Sequence, residues 1–184
     1  MTYSRGKILK RGITYLFIAF LITLPIHFFV AEPFIVSGLS MAPTFVPGDY
    51  LIIDKLHYDF VAPARGEIAI FHFPLDPSLF YIKRIIGLPG ETVAISNGIV
   101  TIVAKNGVRT TLSAPYLSAQ KFGKEESTTT LASDEYFVLG DNRAASSDSR
   151  DWGPLQKKFL IGPPIARLLP LNTAGMYPGI YRGQ

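Results

Sequence analysis

The chain has 184 residues, enough for one domain with a substantial core and too few for two large ones. It contains no cysteine, which excludes disulfides, zinc–thiolate sites and a cysteine nucleophile, and its three scattered histidines argue against a metal centre. The formal charge of +4 is spread along the chain rather than massed in a basic block, which excludes nucleic acid as the expected partner.

Arg5, Lys7, Lys10 and Arg11 come before any acidic residue, and the next twenty residues, Gly12 to Ala31 (GITYLFIAFLITLPIHFFVA), carry no Lys, Arg, Asp or Glu. As a helix rising about 1.5 Å per residue this run spans about 30 Å, the thickness of a bilayer's hydrocarbon core. The basic flank predicts a cytoplasmic segment 1–11, a transmembrane anchor 12–31 and an extracytoplasmic domain 32–184, single-pass in the cell membrane and in contact with its lipid. A cleaved secretory signal fits less well: its apolar stretch is about 7–15 residues, and Phe29 stands where a small residue is wanted before the cut.

After Pro33 the helical period disappears, and short runs rich in Ile, Val, Phe and Tyr recur between Gly and Pro punctuation. The spacing predicts strands at Tyr50–Lys55, Glu67–Phe73, Phe80–Gly87, Glu91–Ile95, Ile99–Ala104, Val108–Leu112, Glu135–Leu139 and Ile161–Leu168, so the domain reads as mainly β, with no helix expected after the anchor. Asn97-Gly98 and Asn106-Gly107 suit two-residue hairpin turns, which makes 91–112 a three-stranded meander. Pro47-Gly48 and Pro89-Gly90 suit the centres of type II turns. The polar, unpatterned stretch Ser113 to Ser133 reads as a solvated loop, completing a small accessory region over 91–133.

Three places stand out for chemistry. In Gly38-Leu-Ser-Met-Ala-Pro-Thr-Phe45 a serine, Ser40, lies between a glycine that frees the backbone and a proline that restricts it. By itself this stretch is more often a turn than a nucleophile site. In Tyr81-Ile-Lys-Arg-Ile-Ile86, strand alternation gives each face one cation among apolar neighbours. That pattern fits a guarded edge strand, or else a lysine desolvated until its neutral amine serves as a base. The third place is Gly140-Asp-Asn-Arg-Ala-Ala-Ser-Ser-Asp-Ser-Arg-Asp-Trp-Gly-Pro154, a loop rich in turn formers and in charges of both signs. Ser118-Ala-Gln-Lys121 matches S-x-x-K without the motifs that accompany it in penicillin-binding enzymes, and nothing local supports a triad built on His57 or His72.

Taken together, Ser40-Met-Ala-Pro-Thr44, Tyr81-Ile-Lys-Arg-Ile-Ile-Gly-Leu-Pro-Gly90 and Leu139-Gly-Asp-Asn-Arg143 with Ser146, Asp148, Ser149, Arg150, Trp152 and Gly153 resemble the boxes of the type I signal peptidases, in that family's order. The resemblance implies a membrane-anchored serine endopeptidase with a Ser–Lys dyad on a largely antiparallel β fold. It would need no cofactor, and its partners would be secretory preproteins. Ser40 then matches the nucleophile and, through its backbone N–H, part of the oxyanion hole; Lys83 matches the general base, and Ser146 the serine that orients it. Asp148, Arg84 and Arg150 match a supporting ion-pair group, while Met41, Phe45, Tyr81 and Ile82 match the lining of shallow pockets for small side chains. Gly38 stands where many Gram-negative members add a serine hydroxyl to the oxyanion hole, and the nearest hydroxyl here is that of Ser37, one residue further back. Ala144 and Ala145 replace polar residues common in the third box.

The function that follows is removal of N-terminal signal peptides after small residues. Two other readings stand beside it: a related Ser–Lys peptidase dedicated to one substrate, such as a conjugative pilin, and a single-span β module with no catalysis.

Overall fold

The computed structural model describes residues 5–25, 30–112 and 126–179. Helix α1 runs from Arg5 to Pro25, and its described side chains between Leu9 and Leu21 are exposed although most are apolar. Among the described residues no helix is long and apolar enough to cross a membrane. Residues 26–29 of the expected anchor lie outside the described residues, and its last residue, Ala31, already pairs with Asp54 in a strand.

Three antiparallel sheets follow. The first has the order β1 (Ala31–Ile35), β2 (Tyr50–Asp54), β12 (Pro164–Leu169), β13 (Gly175–Met176). The second is β10 (Leu155–Gln156), β9 (Glu135–Leu139), β4 (Asp76–Gly87), β3 (Ile68–Phe73), β11 (Leu160–Gly162). The third, accessory sheet is β7 (Arg109–Thr111), β6 (Ile99–Val103), β5 (Thr92–Ser96), β8 (Glu126–Thr130).

Alternation along the strands assigns their side chains to three cores. Val36, Met41, Phe45, Leu51, Ile53, Ile68, Ile70 and Ile82 fill the space between the first two sheets. Phe71, Ile85, Tyr136, Val138 and Leu155 cover the other face of the second sheet, together with Tyr58 of the short helix α2 (His57–Phe60). The accessory sheet turns Val93, Ile95, Val100 and Ile102 onto Ile86, Phe137 and Leu139.

The strand reading holds along most of the chain; the two-residue strands β10 and β13 lie outside it, and four larger differences stand beside them. β1 escaped it because Pro33 and the end of the apolar run mask the pattern; the strand lies at a sheet edge, where a proline's missing N–H is tolerated. β4 begins at Asp76, four residues before the expected start. The Ile161–Leu168 run divides, β11 and β12 lying in different sheets, and a Cβ on Gly162 would sit 1.8 Å from the Asp54 carbonyl oxygen, so the chain passes too close there for a side chain. Glu126–Thr130, expected as loop, is strand β8, paired with β5 along its length. Its Ser-Thr-Thr-Thr sequence has no apolar alternation, and its β-branched threonines suit an edge strand, with Thr92 and Thr130 sharing a hydroxyl bond of 2.9 Å. Residues 113–125 of that expected loop lie outside the described residues. Asn97 and Gly98 both adopt positive φ, as a type I′ hairpin turn requires, whereas at the second hairpin only Gly107 does and the turn is longer.

Candidate active site

The loop between β1 and β2 is closed at its base by two backbone bonds, Val36 N–H to Asp49 C=O at 2.9 Å and Gly48 N–H to Val36 C=O at 2.9 Å. At its tip, Ala42 N–H donates to Leu39 C=O (3.1 Å) and Phe45 N–H to Met41 C=O (2.9 Å), a tight turn that holds the half-buried Ser40 at the wall of a cleft. Gly38, at φ +84°, supplies the left-handed residue that lets the chain enter this turn.

Strand β4 brings Lys83 to the same place. β9 pairs with β4 only from Arg84 onward, so the β4 edge before it has no strand neighbour on that side among the described residues. The nucleophile turn approaches there, and Lys83 Nζ lies 2.8 Å from Ser40 Oγ and 3.1 Å from the carbonyl oxygen of Ile82. Only 4% of Lys83 is exposed, and burial lowers its amine from the usual lysine value to about 8, with the Asp148 carboxylate opposing the shift.

The carboxylates around the lysine are engaged elsewhere. Arg84, fully buried, makes a bidentate pair with Asp141 (Nε to Oδ1 at 2.8 Å, Nη2 to Oδ2 at 2.6 Å). Asp141 also accepts the Thr44 hydroxyl at 2.5 Å, so it joins the base-bearing strand to the nucleophile loop. Asp148 pairs with Arg150 (Nε to Oδ1 at 2.7 Å) and accepts the Gly140 N–H at 3.0 Å. It also caps the short helix α3 (Ser149–Trp152) in a reciprocal box with Asp151. Arg150 further donates to the carbonyls of Arg143 (2.8 Å) and Ser146 (3.3 Å), closing the 140–150 loop, and Asn142 N–H fastens that loop to the Ser40 carbonyl at 2.9 Å.

Ser40 and Lys83 open into a cleft of about 240 Å³, whose walls include Phe34, Ser37, Phe80, Tyr81, Ile82 and Ser147. The structure therefore brings Ser37, Tyr81 and Ile82 to the cleft with the Ser–Lys pair. Met41 and Phe45, expected to line the pockets, are instead buried in the core to 1% and 0% exposure and do not line the cleft. They brace the turn from beneath, packed with Leu51, Ile53 and Ile70, while Leu39 and Val46 of the same loop stay exposed.

Two further expectations are corrected. Arg84 belongs not with Asp148 and Arg150 but with Asp141, an acid that sequence reasoning left without a role although it lies in the Gly140-Asp-Asn-Arg143 box. Ser146 does not bond Lys83: its buried Oγ has no hydrogen-bond partner among the described residues and lies 2.2 Å from where a Cβ on Gly140 would stand. The lysine amine is already satisfied by Ser40 and Ile82. His72 contacts the Pro77 carbonyl at 2.7 Å and His57 lies between Asp54 and Glu67, so neither is placed to act on Ser40.

Comparison with known proteins bears on the same constellation. The profile of the family "Signal peptidase, peptidase S26" matches residues 9–169. The chain belongs to this family. Signal peptidase I of Leptolyngbya laminosa is 37% identical over 175 residues, 91% of this chain and 83% of the relative. The probable signal peptidase I-1 of Synechocystis sp. is 35% identical over 94% of this chain and 88% of its own. The signal peptidase I of Bacillus caldolyticus is 34% identical over 85% and 89% respectively. The crystal structure of a signal peptidase I from Enterococcus faecalis V583 aligns with 56% of this chain and 97% of its own at 34% identity, with a TM-score of 0.48. Family membership makes the chain a signal peptidase, a serine endopeptidase with the Ser–Lys pair characteristic of the group.

Proposed function

We propose that this protein removes N-terminal signal peptides from secretory preproteins, with Ser40 as nucleophile and Lys83 as general base. The observation that carries the reading is the 2.8 Å approach of a buried amine, which has no ion-pair partner among the described residues, to a serine hydroxyl in an open cleft. A protonated lysine could not take a proton from serine; an amine lowered to about 8 is substantially neutral at the pH of mildly alkaline media.

In the proposed reaction the Ser40 hydroxyl proton passes to Lys83 as Oγ bonds to the scissile carbonyl carbon. The resulting oxyanion is held by the backbone N–H of Ser40, a donor of the kind worth about 3–4 kcal/mol, with the Ser37 hydroxyl as a candidate second donor from the same cleft wall. Collapse breaks the C–N bond, and the lysine proton goes to the departing amine. Water, deprotonated by the same lysine, attacks the acyl-enzyme and frees Ser40. Ser146 would orient the lysine only after its hydroxyl leaves its place against Gly140. The unpaired edge of β4 ahead of Arg84 suits an extended substrate, which would add to it by backbone hydrogen bonds. Tyr81 and Ile82 would then meet the small side chains beside the cut.

The membrane reading rests on the charge-free run 12–31 after a basic segment, and on the exposed apolar side chains of α1. A helix apolar on all sides without protein cover is suited to lipid. The N-terminus would be cytoplasmic and the catalytic domain, 32–184, extracytoplasmic. The deciding experiment is cleavage of several unrelated preproteins in detergent by the wild type and by Ser40→Ala. Cleavage of all of them by the wild type and of none by the variant is expected. Cleavage by the variant would overturn the dyad, and processing of a single preprotein would point to a dedicated enzyme.

A further inference from the structure

We infer that Arg167, which no motif of the family boxes includes, is a positioning residue of the reaction: its guanidinium reaches from β12 to the far limb of the nucleophile loop and fixes where Ser40 stands. The inference rests on the proposed pairing of Ser40 with Lys83.

One guanidinium makes three contacts on that limb. Its Nη2 donates to the Thr44 carbonyl at 2.7 Å, its Nη1 lies 3.3 Å from the Asp49 carboxylate, and its plane sits 4.6 Å from the centre of the Phe45 ring. Asp49 in turn accepts the Val46 N–H at 3.2 Å, so the grip extends from Thr44 to the base of the loop. Thr44 is thereby held from two sides. Its carbonyl is tied to β12, and its hydroxyl to Asp141, whose arginine partner is the neighbour of Lys83 in β4. Phe45 N–H closes the turn back onto Met41, next to Ser40, so a displacement of the Thr44 limb is passed to the nucleophile within one turn.

A purely structural reading explains these contacts less well. The pair is buried, with Asp49 at 1% and Arg167 at 11% side-chain exposure, yet Asp49 Oδ1 and Arg167 Nε have no hydrogen-bond partner among the described residues. A half-satisfied ion pair taken out of water is a poor source of stability, and apolar side chains of similar volume commonly serve as well. Apolar side chains could not reproduce the directed bond to the Thr44 carbonyl. The arrangement supplies placement, and placement is costly to lose, since a shift of about 1 Å at a reacting atom can lower the rate about 100-fold.

The test uses the full-length chain in detergent, with a preprotein substrate and two variants. Arg167→Lys keeps a charge for Asp49 but loses the forked, stacked geometry. The double variant Asp49→Leu with Arg167→Met removes both buried charges together, so that neither is left unpaired. Both are expected to keep KM within about twofold, to lower kcat by about 10- to 100-fold, and to leave the midpoint of the alkaline rise in activity unchanged. Wild-type kcat in a folded Arg167→Lys enzyme would overturn the inference. So would a kcat loss accompanied by a moved midpoint, which would mean that Arg167 acts through the charge state of Lys83. Ser40→Ala run alongside separates the two layers: cleavage by that variant sinks the dyad and this inference together, while loss there with an unimpaired Arg167→Lys sinks the inference alone.

Discussion

Strand β4 carries two consecutive cations, Lys83 and Arg84, both buried and both within reach of the nucleophile loop, and the two faces of the strand treat them in opposite ways. Arg84 receives a carboxylate of its own, Asp141, in bidentate geometry. Lys83 receives a hydroxyl and a carbonyl, while Asp148, the acid whose field reaches it, is committed to Arg150. Equal burial thus yields a permanent charge that ties three segments together on one face and an amine close to losing its proton on the other. Two things separate them: a guanidinium keeps its proton where an amine can lose one, and the nearby carboxylates are placed on the arginines.

The largest effect should come from removing the unpaired cation. Lys83→Met is expected to lower preprotein cleavage by about 10³- to 10⁴-fold with the domain still folded, measured as single-turnover rate beside circular dichroism. Breaking the paired side should instead cost the fold. Asp141→Ala leaves the Arg84 charge buried without its carboxylate and should destabilise by about 3–5 kcal/mol in urea unfolding, a loss that Lys83→Met does not share. If both variants unfold equally easily, the contrast between the two faces is wrong.

The same contrast fixes a pH dependence. Lys83 titrates near 8 in the folded chain and near 10.5 when unfolded, so between those values the unfolded chain holds a proton that the folded one lacks. The wild type should therefore gain stability as pH rises through that window, whereas below about pH 8 the lysine's burial costs roughly 3 kcal/mol. Lys83→Met should be the more stable protein at pH 7, with an advantage that fades by pH 10.5; an advantage constant in pH would count against desolvation as the cause. Activity should rise with a midpoint near pH 8 for the same reason, the neutral amine being the base.

Gly140→Ala should act on the site through shape alone. A Cβ there would stand 2.5 Å from the Ser40 carbonyl oxygen and 2.6 Å from the Ser146 Cβ, so the Ser40 turn must shift, at a cost of about 1–3 kcal/mol and with impaired cleavage. The smallest effect is expected far from β4. Thr128→Ala on the exposed edge of the accessory sheet should change stability by less than about 0.5 kcal/mol and leave cleavage rates unaltered.

Legibility in the sequence followed the physics of each element. Strands with an apolar face, such as Tyr50–Asp54 and Glu135–Leu139, announced themselves, and the Asn97-Gly98 hairpin was set by backbone sterics that any reader of residue types can apply. β8 could not be seen, because a threonine run on an edge strand has no apolar face to show. In the site, Ser40 and Lys83 were marked by the company of three boxes, yet the charge pairing was misassigned. Three acids (Asp141, Asp148, Asp151) and three arginines (Arg84, Arg143, Arg150) within reach allow several pairings on paper, and register alone decides between them. Asp141 meets Arg84 because β9 lies opposite β4 with Leu139 facing Arg84, which delivers the residues after Leu139 to that arginine.

The sequence by itself determined a charge-free N-terminal run, an antiparallel β domain with its turns, and the residue types of a Ser–Lys site, because these depend on period, sterics and local chemistry. Only the tertiary structure decided that Met41 and Phe45 support the turn from below, that Ser146 stands apart from the lysine, and that Arg167 reaches the nucleophile loop from 123 residues further along the chain. Those are contacts between segments distant in sequence, set by strand register and packing, and no local pattern encodes them.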